Sequence, residues 1–261
     1  MSLQKTFEEK ATSSFSLDRR LEINANSSVN DFQAWLFSKI PVTPAMRILE
    51  IGCGSGAQSR IFSRLTGAHG IHFAIDKSEE SIKKIKSELS SQKTFFAISG
   101  DMNNLKEILE KNNISNIDLV SAIYSLYYSK NPRVVLDIAK DSLTSSGMLA
   151  VATPVEPHGM VEFCRSTAGQ LTKEIDHCLS FAWTFLIPYF REKFNDVSVY
   201  FFKNKLSIHS IEEFLHFYRE TTYFSEVDEP QITEKVRSML NTQNKISFDK
   251  NGVLVTGRIK C

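Results

Sequence analysis

The sequence has no Cys-x-x-Cys pair. Its four cysteines, Cys53, Cys164, Cys178 and Cys261, are scattered without the spacing of a disulfide framework or a zinc site. No metal is therefore expected, and a reducing, cytoplasmic compartment is the natural setting. No uninterrupted apolar run approaches the roughly 20 residues of a membrane helix, and no charged-then-apolar leader opens the chain, so no membrane is expected. Net charge is missing too: 31 Lys and Arg against 30 Asp and Glu leave +1. That balance provides no field to collect nucleic acid. There is no internal repeat, no low-complexity tract and no signal for an oligomeric state. With 42% apolar and 23% charged residues, the 261-residue chain has the composition of an ordinary globular protein. Its length suits one large domain, with or without a lid.

Between Arg47 and Pro154, short β-branched runs alternate with helical patterns, which predicts βαβ units and a mostly parallel sheet. The strands are RILEIG from Arg47, IHFAID from Ile71, TFFAISG from Thr94, IDLVSAIY from Ile117 and GMLAVATP from Gly147. Their near-continuous apolar character suits strands covered on both faces. A helix over Ala57–Leu65 stops before Gly67, a C-cap. Ser78 N-caps a helix whose Ile82, Ile85 and Leu89 share a face, and Asn131-Pro132 opens another. After Pro154 a long helical stretch, 160–194, reads as a lid. Asp196 opens a strand with a bend, and Ser210-x-x-Glu213 matches a capping box. The pattern ends in a hairpin, with Asn251-Gly252 as the turn between KISF and VLVTGRIK.

The chemistry concentrates at strand ends. After Glu50 the chain turns through Gly52, Gly54 and Gly56, where missing Cβ atoms let backbone approach a ligand. This loop alone is ambiguous, because Gly52-x-Gly54-x-x-Ala57 also satisfies the dinucleotide fingerprint. Asp76, ending the next strand, can accept from two ribose hydroxyls, as in NAD or S-adenosylmethionine. Ser99-Gly100-Asp101-Met102 ends the third strand and adds a carboxylate to take an adenine amino group and an apolar side chain to lie on the ring. The dinucleotide fingerprint makes no such demand, so this element tips the balance. The fourth strand ends near Tyr124, and its loop presents Ser125, Tyr127 and Tyr128 at the carboxyl edge, where open α/β sheets bind ligands.

Together these residues resemble the motifs of the class I S-adenosylmethionine-dependent methyltransferases of the small-molecule type, over roughly the whole chain. The resemblance implies an α/β, Rossmann-like, doubly wound, mostly parallel seven-stranded sheet with an antiparallel C-terminal strand and helical lid elements. It implies one domain over 1–261: an N-terminal helical cap segment (1–46), a cofactor-binding core (47–154), a lid or acceptor-pocket helix (155–195), and sheet completion with the hairpin (196–261). It implies S-adenosylmethionine as cofactor and a small-molecule acceptor as partner. Gly52, Cys53, Gly54 and Gly56 would wrap the methionine part, with Glu50 ordering the loop. Asp76 with Lys77 would hold the ribose, Asp101 with Met102 the adenine, and Ile123 with Tyr124 would flank the sulfonium. Two departures bear on the acceptor. Leu126 is followed by Tyr127 and Tyr128 where many relatives have Leu-His-His, and there is no Asn-Pro-Pro-Tyr or Asp-Pro-Pro-Tyr motif for planar nitrogen acceptors.

Blander roles stand beside these. No catalytic residue is assigned; Tyr124, Tyr127 and His158 are the candidates, the tyrosines equally readable as core or rim aromatics and His158, like Glu156, as part of a solvated loop. His72, His209 and His216 read as structural, and Cys53 as a small buried side chain. FAWTFLIPYF (181–190) reads as core before acceptor pocket. The rival functions are an NAD-dependent oxidoreductase, weakened by Asp101 and by the lack of a Tyr-x-x-x-Lys pair, and a catalytically silent S-adenosylmethionine-binding module.

Overall fold

A computed structural model of the chain describes residue 10, residues 13–169 and residues 171–259. Cys261 and the opening Met-Ser-Leu lie outside the described residues. The chain divides into two compact units, each assembled from separate segments. The sheet unit comprises Gln33–Thr153, Phe181–Phe201 and Val253–Cys261. The helix-rich unit comprises Met1–Phe32, Pro154–Ser180 and Phe202–Gly252.

The strands are β1 (Arg47–Ile51), β2 (Ile71–Asp76), β3 (Phe95–Ser99), β4 (Ile117–Ile123), β5 (Leu143–His158), β6 (Asp196–Phe202), β7 (Lys205–Ile208) and β8 (Ile246–Arg258). Their order is β3-β2-β1-β4-β5-β8-β6, with β7 off this path on β8. β1 to β5 pair in parallel, and the C-terminal strands are antiparallel. This is the Rossmann-like sheet that the alternating pattern predicts, with an eighth strand added.

β1 and β4 are buried almost throughout: Ile48, Leu49, Leu119 and Val120 have no exposed surface. Each such side chain contributes about 1.5–3 kcal/mol relative to exposure, so central strands of this composition have no alternative but the interior. The helix Ser59–Thr66 starts two residues later than its pattern suggests, and Gly67, at φ 67°, ends it. Ser78 accepts from the Ser81 N–H, and Asn131 from the Val134 N–H with Pro132 in the first turn, as their sequence signals predict.

Three expectations are corrected. The helical stretch 160–194 is interrupted: helices Gly159–Ala168 and Lys173–Phe181 are separated at Gly169 (φ 98°), and a π-helical turn, Ala182–Leu186, precedes helix Ile187–Lys193. The C-terminal hairpin is absent. Asn251 and Gly252 lie inside the single strand β8 without the positive φ that a tight hairpin turn requires. Asn251 instead accepts from the Asn204 N–H and donates to the Pro157 carbonyl, while β7 pairs antiparallel with the Ile246–Asp249 stretch. β5 continues to His158, so that residue ends a strand and is buried; it is not on a solvated loop.

The helix-rich unit has its own core, built from Ile23, Met160, Leu206, Phe214, Phe217, Ile232, Val236 and Phe248. Its capping box is offset: Ser210 accepts from the Glu213 N–H, and the Glu213 carboxylate returns to the His209 N–H, one residue early. Helix Glu229–Thr242, opened by Pro230, buries Ile232 and Val236, one turn apart. No helix among the described residues is long and apolar enough to cross a membrane.

Candidate functional site

Register aligns the carboxyl ends of the first four strands. Glu50 on β1 stands opposite Ala74 on β2 and Ser121 on β4, and Asp76 on β2 opposite Ser99 on β3, two residues before Asp101. Gly52, Gly54 and Gly56 have φ of 76°, 51° and 84°, a conformation costly for any residue with a Cβ. Their roles differ. A Cβ at Gly56 would lie 1.8 Å from Ile85 Cδ1, so this glycine admits the helix Glu79–Glu88 against the loop. A Cβ at Gly52 would lie 2.3 Å from Ser125 Cβ, so this glycine admits the loop after β4, while Gly54 is part-exposed and its backbone lines the edge. Gly52 and Cys53 anchor the loop by donating their N–H groups to the Ile75 carbonyl at 2.8 and 3.0 Å.

The carboxylates are held before any ligand arrives. Glu50, 2% exposed, accepts from the Ser59 hydroxyl, and its Oε2 lies 3.1 Å from His72 Nε2, whose Nδ1 meets Ser63 Oγ at 3.0 Å. A buried carboxylate is tolerable only when so surrounded. It ties the loop-following helix to β1 and β2 through partners that strand periodicity does not single out. Asp76 accepts from the Gly54 N–H at 2.7 Å through one oxygen and from the Ser78 N–H at 2.8 Å through the other. Asp101 accepts from both the backbone and side-chain nitrogens of Asn103 through Oδ1. Asn103 in turn accepts from Ser129 Oγ and the Lys130 N–H, tying the Asp101-Met102 turn to the loop after β4. Sequence reasoning missed Asn103; its signal is an Asp-x-Asn pair closing a turn on itself. A cavity of about 280 Å³ opens between Ser99–Asp101 and the side chains of Asn104, Ile108 and Asn112.

The other candidate residues of the sheet unit follow the ends of β2, β3 and β4. Met102 is half-buried, its Cε 3.7 Å from where a Gly52 Cβ would stand. Ile123 is buried and ends β4; Lys77 is exposed beside Asp76. Tyr124 has φ 53°, unusual for an aromatic residue, and its burial raises the phenol well above its ordinary pKa. Backbone strain of this kind is concentrated at functional sites. Ser125 Oγ donates to the Ile51 carbonyl at 2.7 Å and closes the β1 end. Tyr127 and Tyr128 pack ring on ring at 4.5 Å, with Phe181 at the edge of Tyr127. Within 181–190, Phe181, Tyr189 and Phe190 are buried, as core, while Trp183 is 49% exposed. Cys53 is buried, and desolvation with Glu50 and Asp76 nearby raises its thiol well above the ordinary value, which fits an inert side chain. His158, the last residue of β5, belongs to the helix-rich unit.

A family model described as a methyltransferase domain matches residues 42–212. The chain belongs to this methyltransferase family. Methyltransferases of this family and its structural neighbours take S-adenosylmethionine as methyl donor. Among solved structures, the chain is similar to the YcgJ protein of Bacillus subtilis (16% identity, TM-score 0.55, 95% of this chain and 100% of that one). It is similar to an arsenic(III) S-adenosylmethionine methyltransferase of Chlamydomonas reinhardtii (16%, TM-score 0.53, 84% of this chain), of which it spans 65%. It is similar too to the [4+2]-cyclase SpnF (13%, TM-score 0.56, 98% of both chains). At these identities the likeness is one of fold, and a cyclase among the neighbours shows that the fold alone does not name the reaction. No curated protein sequence matches the chain significantly.

Proposed function

We propose that this chain is an S-adenosylmethionine-dependent methyltransferase acting on a small molecule, with 1–261 working as one catalytic domain. The observation that carries the reading is the edge itself: a three-glycine loop with positive φ, and two carboxylates at the ends of adjacent parallel strands, one bonded to that loop. The donor set suits this cofactor. Gly52, Cys53, Gly54 and Gly56 offer close backbone to its methionine part. Asp76, with Lys77 alongside, keeps free lone pairs for two ribose hydroxyls. Asp101 and Met102 offer an acceptor and an apolar surface to adenine, and Ile123 with Tyr124 borders the reacting end.

S-adenosylmethionine, when bound, supplies a methyl group on a positive sulfur. What remains for the chain is to hold an acceptor lone pair in line and to exclude water. Tyr124 and Tyr127 are the side chains at this edge suited to positioning an acceptor by hydrogen bonding, and burial keeps the Tyr124 phenol neutral. Composition supports a small acceptor, since a net charge of +1 offers no purchase for nucleic acid.

The test is transfer of labelled methyl from S-adenosylmethionine into fractions of a cell extract. Label in low-mass products, abolished by Asp76→Ala, is expected; label confined to protein or nucleic acid would overturn the small-molecule assignment.

A further inference from the structure

The helix-rich unit gathers basic groups that no carboxylate among the described residues answers. Helix Ser14–Ser27 carries Arg20 and, one turn on, Asn24. Lys250 on β8 donates from Nζ to Asn24 Oδ1, with that nitrogen 5.0 Å from the centre of the Phe217 ring. The end of β5 is pressed against this stretch of β8. A Cβ at Gly159 would lie 2.7 Å from the Asp249 nitrogen, and Asn251 bonds the Pro157 carbonyl at 2.9 Å. His158 is thereby set beside Lys250, and the Tyr223 ring meets the imidazole edge-on at 6.2 Å.

His158 is 8% exposed, and its Nδ1 has no hydrogen-bond partner. Arg20, Lys250 and Tyr223 are half-buried. Arg20 spends its guanidinium on the Ser16 and Lys10 carbonyls. Among the described residues, none of the Arg20, Lys250 and His158 side chains makes an ion pair with a carboxylate. The nearby acids are engaged: Glu162 accepts from the His158 backbone N–H at 3.3 Å, and Glu220 from Ser16 Oγ at 2.7 Å. Burial, with the Arg20 charge, pushes the Lys250 ammonium down to about 7, and burial, with Lys250, pushes His158 down to about 3. Positive groups withdrawn from water beside one another are costly, and an anion among them removes that cost.

We propose that Arg20, Lys250, His158 and Tyr223 form a binding site for the oxyanion group, carboxylate or phosphate, of a small molecule. Arg20 and Lys250 supply the charge, and the His158 imidazole and the Tyr223 hydroxyl supply neutral donors that fix the orientation. The site is independent of the methyl-transfer reading.

Thermal unfolding near pH 7 with acetate, inorganic phosphate or chloride, at matched ionic strength, tests it. One of the two oxyanions should raise the wild-type Tm saturably above chloride, and the more effective one identifies the group. Arg20→Gln should weaken that response by about tenfold, and Lys250→Met should abolish it. In parallel, NMR titration of wild-type His158 should show its pKa rising when the oxyanion is added, because an adjacent negative charge favours imidazolium. Oxyanions no better than chloride, responses unchanged in both variants, or a His158 pKa unmoved by saturating acetate and phosphate would each overturn the site. The His158 titration decides the matter even where a variant fails to fold.

Discussion

In the sheet unit the carboxylates arrive already partnered: Glu50 by Ser59 and His72, Asp76 by the Gly54 and Ser78 N–H groups, Asp101 by Asn103. In the helix-rich unit His158 keeps a buried nitrogen without a hydrogen-bond partner, and burial beside Arg20 pushes the Lys250 ammonium down to about 7. The contrast separates two ways of handling polar groups taken from water. A satisfied network fixes geometry in advance and lends rigidity to whatever it flanks. An unsatisfied cluster lowers stability until a ligand supplies what is missing.

Removing one member of each set should break or sharpen this contrast. Glu50→Ala leaves the buried His72 Nε2 and Ser59 hydroxyl unpaired and should cost about 3 kcal/mol in urea unfolding. His158→Phe removes a buried ring nitrogen with no hydrogen-bond partner while keeping an aromatic ring against Tyr223, and should be neutral or stabilising by up to about 1 kcal/mol. Equal losses in the two variants would erase the distinction. Next in size, Gly56→Ala forces a Cβ to within 1.8 Å of Ile85 at positive φ, and should cost about 2–3 kcal/mol. Gly67→Ala, at φ 67° with nothing within 4 Å, should cost only about 1 kcal/mol.

A smaller loss, about tenfold or ~1.4 kcal/mol in S-adenosylhomocysteine affinity, is expected for Asp101→Ala by calorimetry, with Tm nearly unchanged because Asp101 is bonded only to its own turn. Smallest per step is a pH effect. His158 titrates near 3 when folded and near 6.5 when unfolded, so between those values the unfolded state binds the extra proton. Stability should therefore fall as pH drops from about 6.5 towards 3, by about 1 kcal/mol per pH unit, and His158→Phe should flatten that slope.

The same contrast marks what was legible in the sequence. The sheet unit announces itself because parallel strands are locally apolar and their ligand edge must carry glycine and carboxylate at strand ends; Ile71–Asp76 was readable to the residue. The helix-rich unit joins segments far apart in sequence, so pairing Lys250 with Asn24, or His158 with Tyr223, depends on tertiary packing that no local pattern carries. The hairpin expected at Asn251-Gly252 failed for that reason. The side chain of Asn251 is committed to Asn204 and Pro157, and the backbone stays extended. His72 illustrates the middle case: its burial was legible, but its bond to Glu50, a partner on the neighbouring strand, was not.

The most direct test of the cofactor assignment is side-by-side calorimetric titration of the purified protein with S-adenosylhomocysteine, S-adenosylmethionine and NAD. Micromolar binding of the first two, and none of NAD, is the predicted result; binding of NAD alone would contradict it and make Asp76 a dinucleotide ribose ligand.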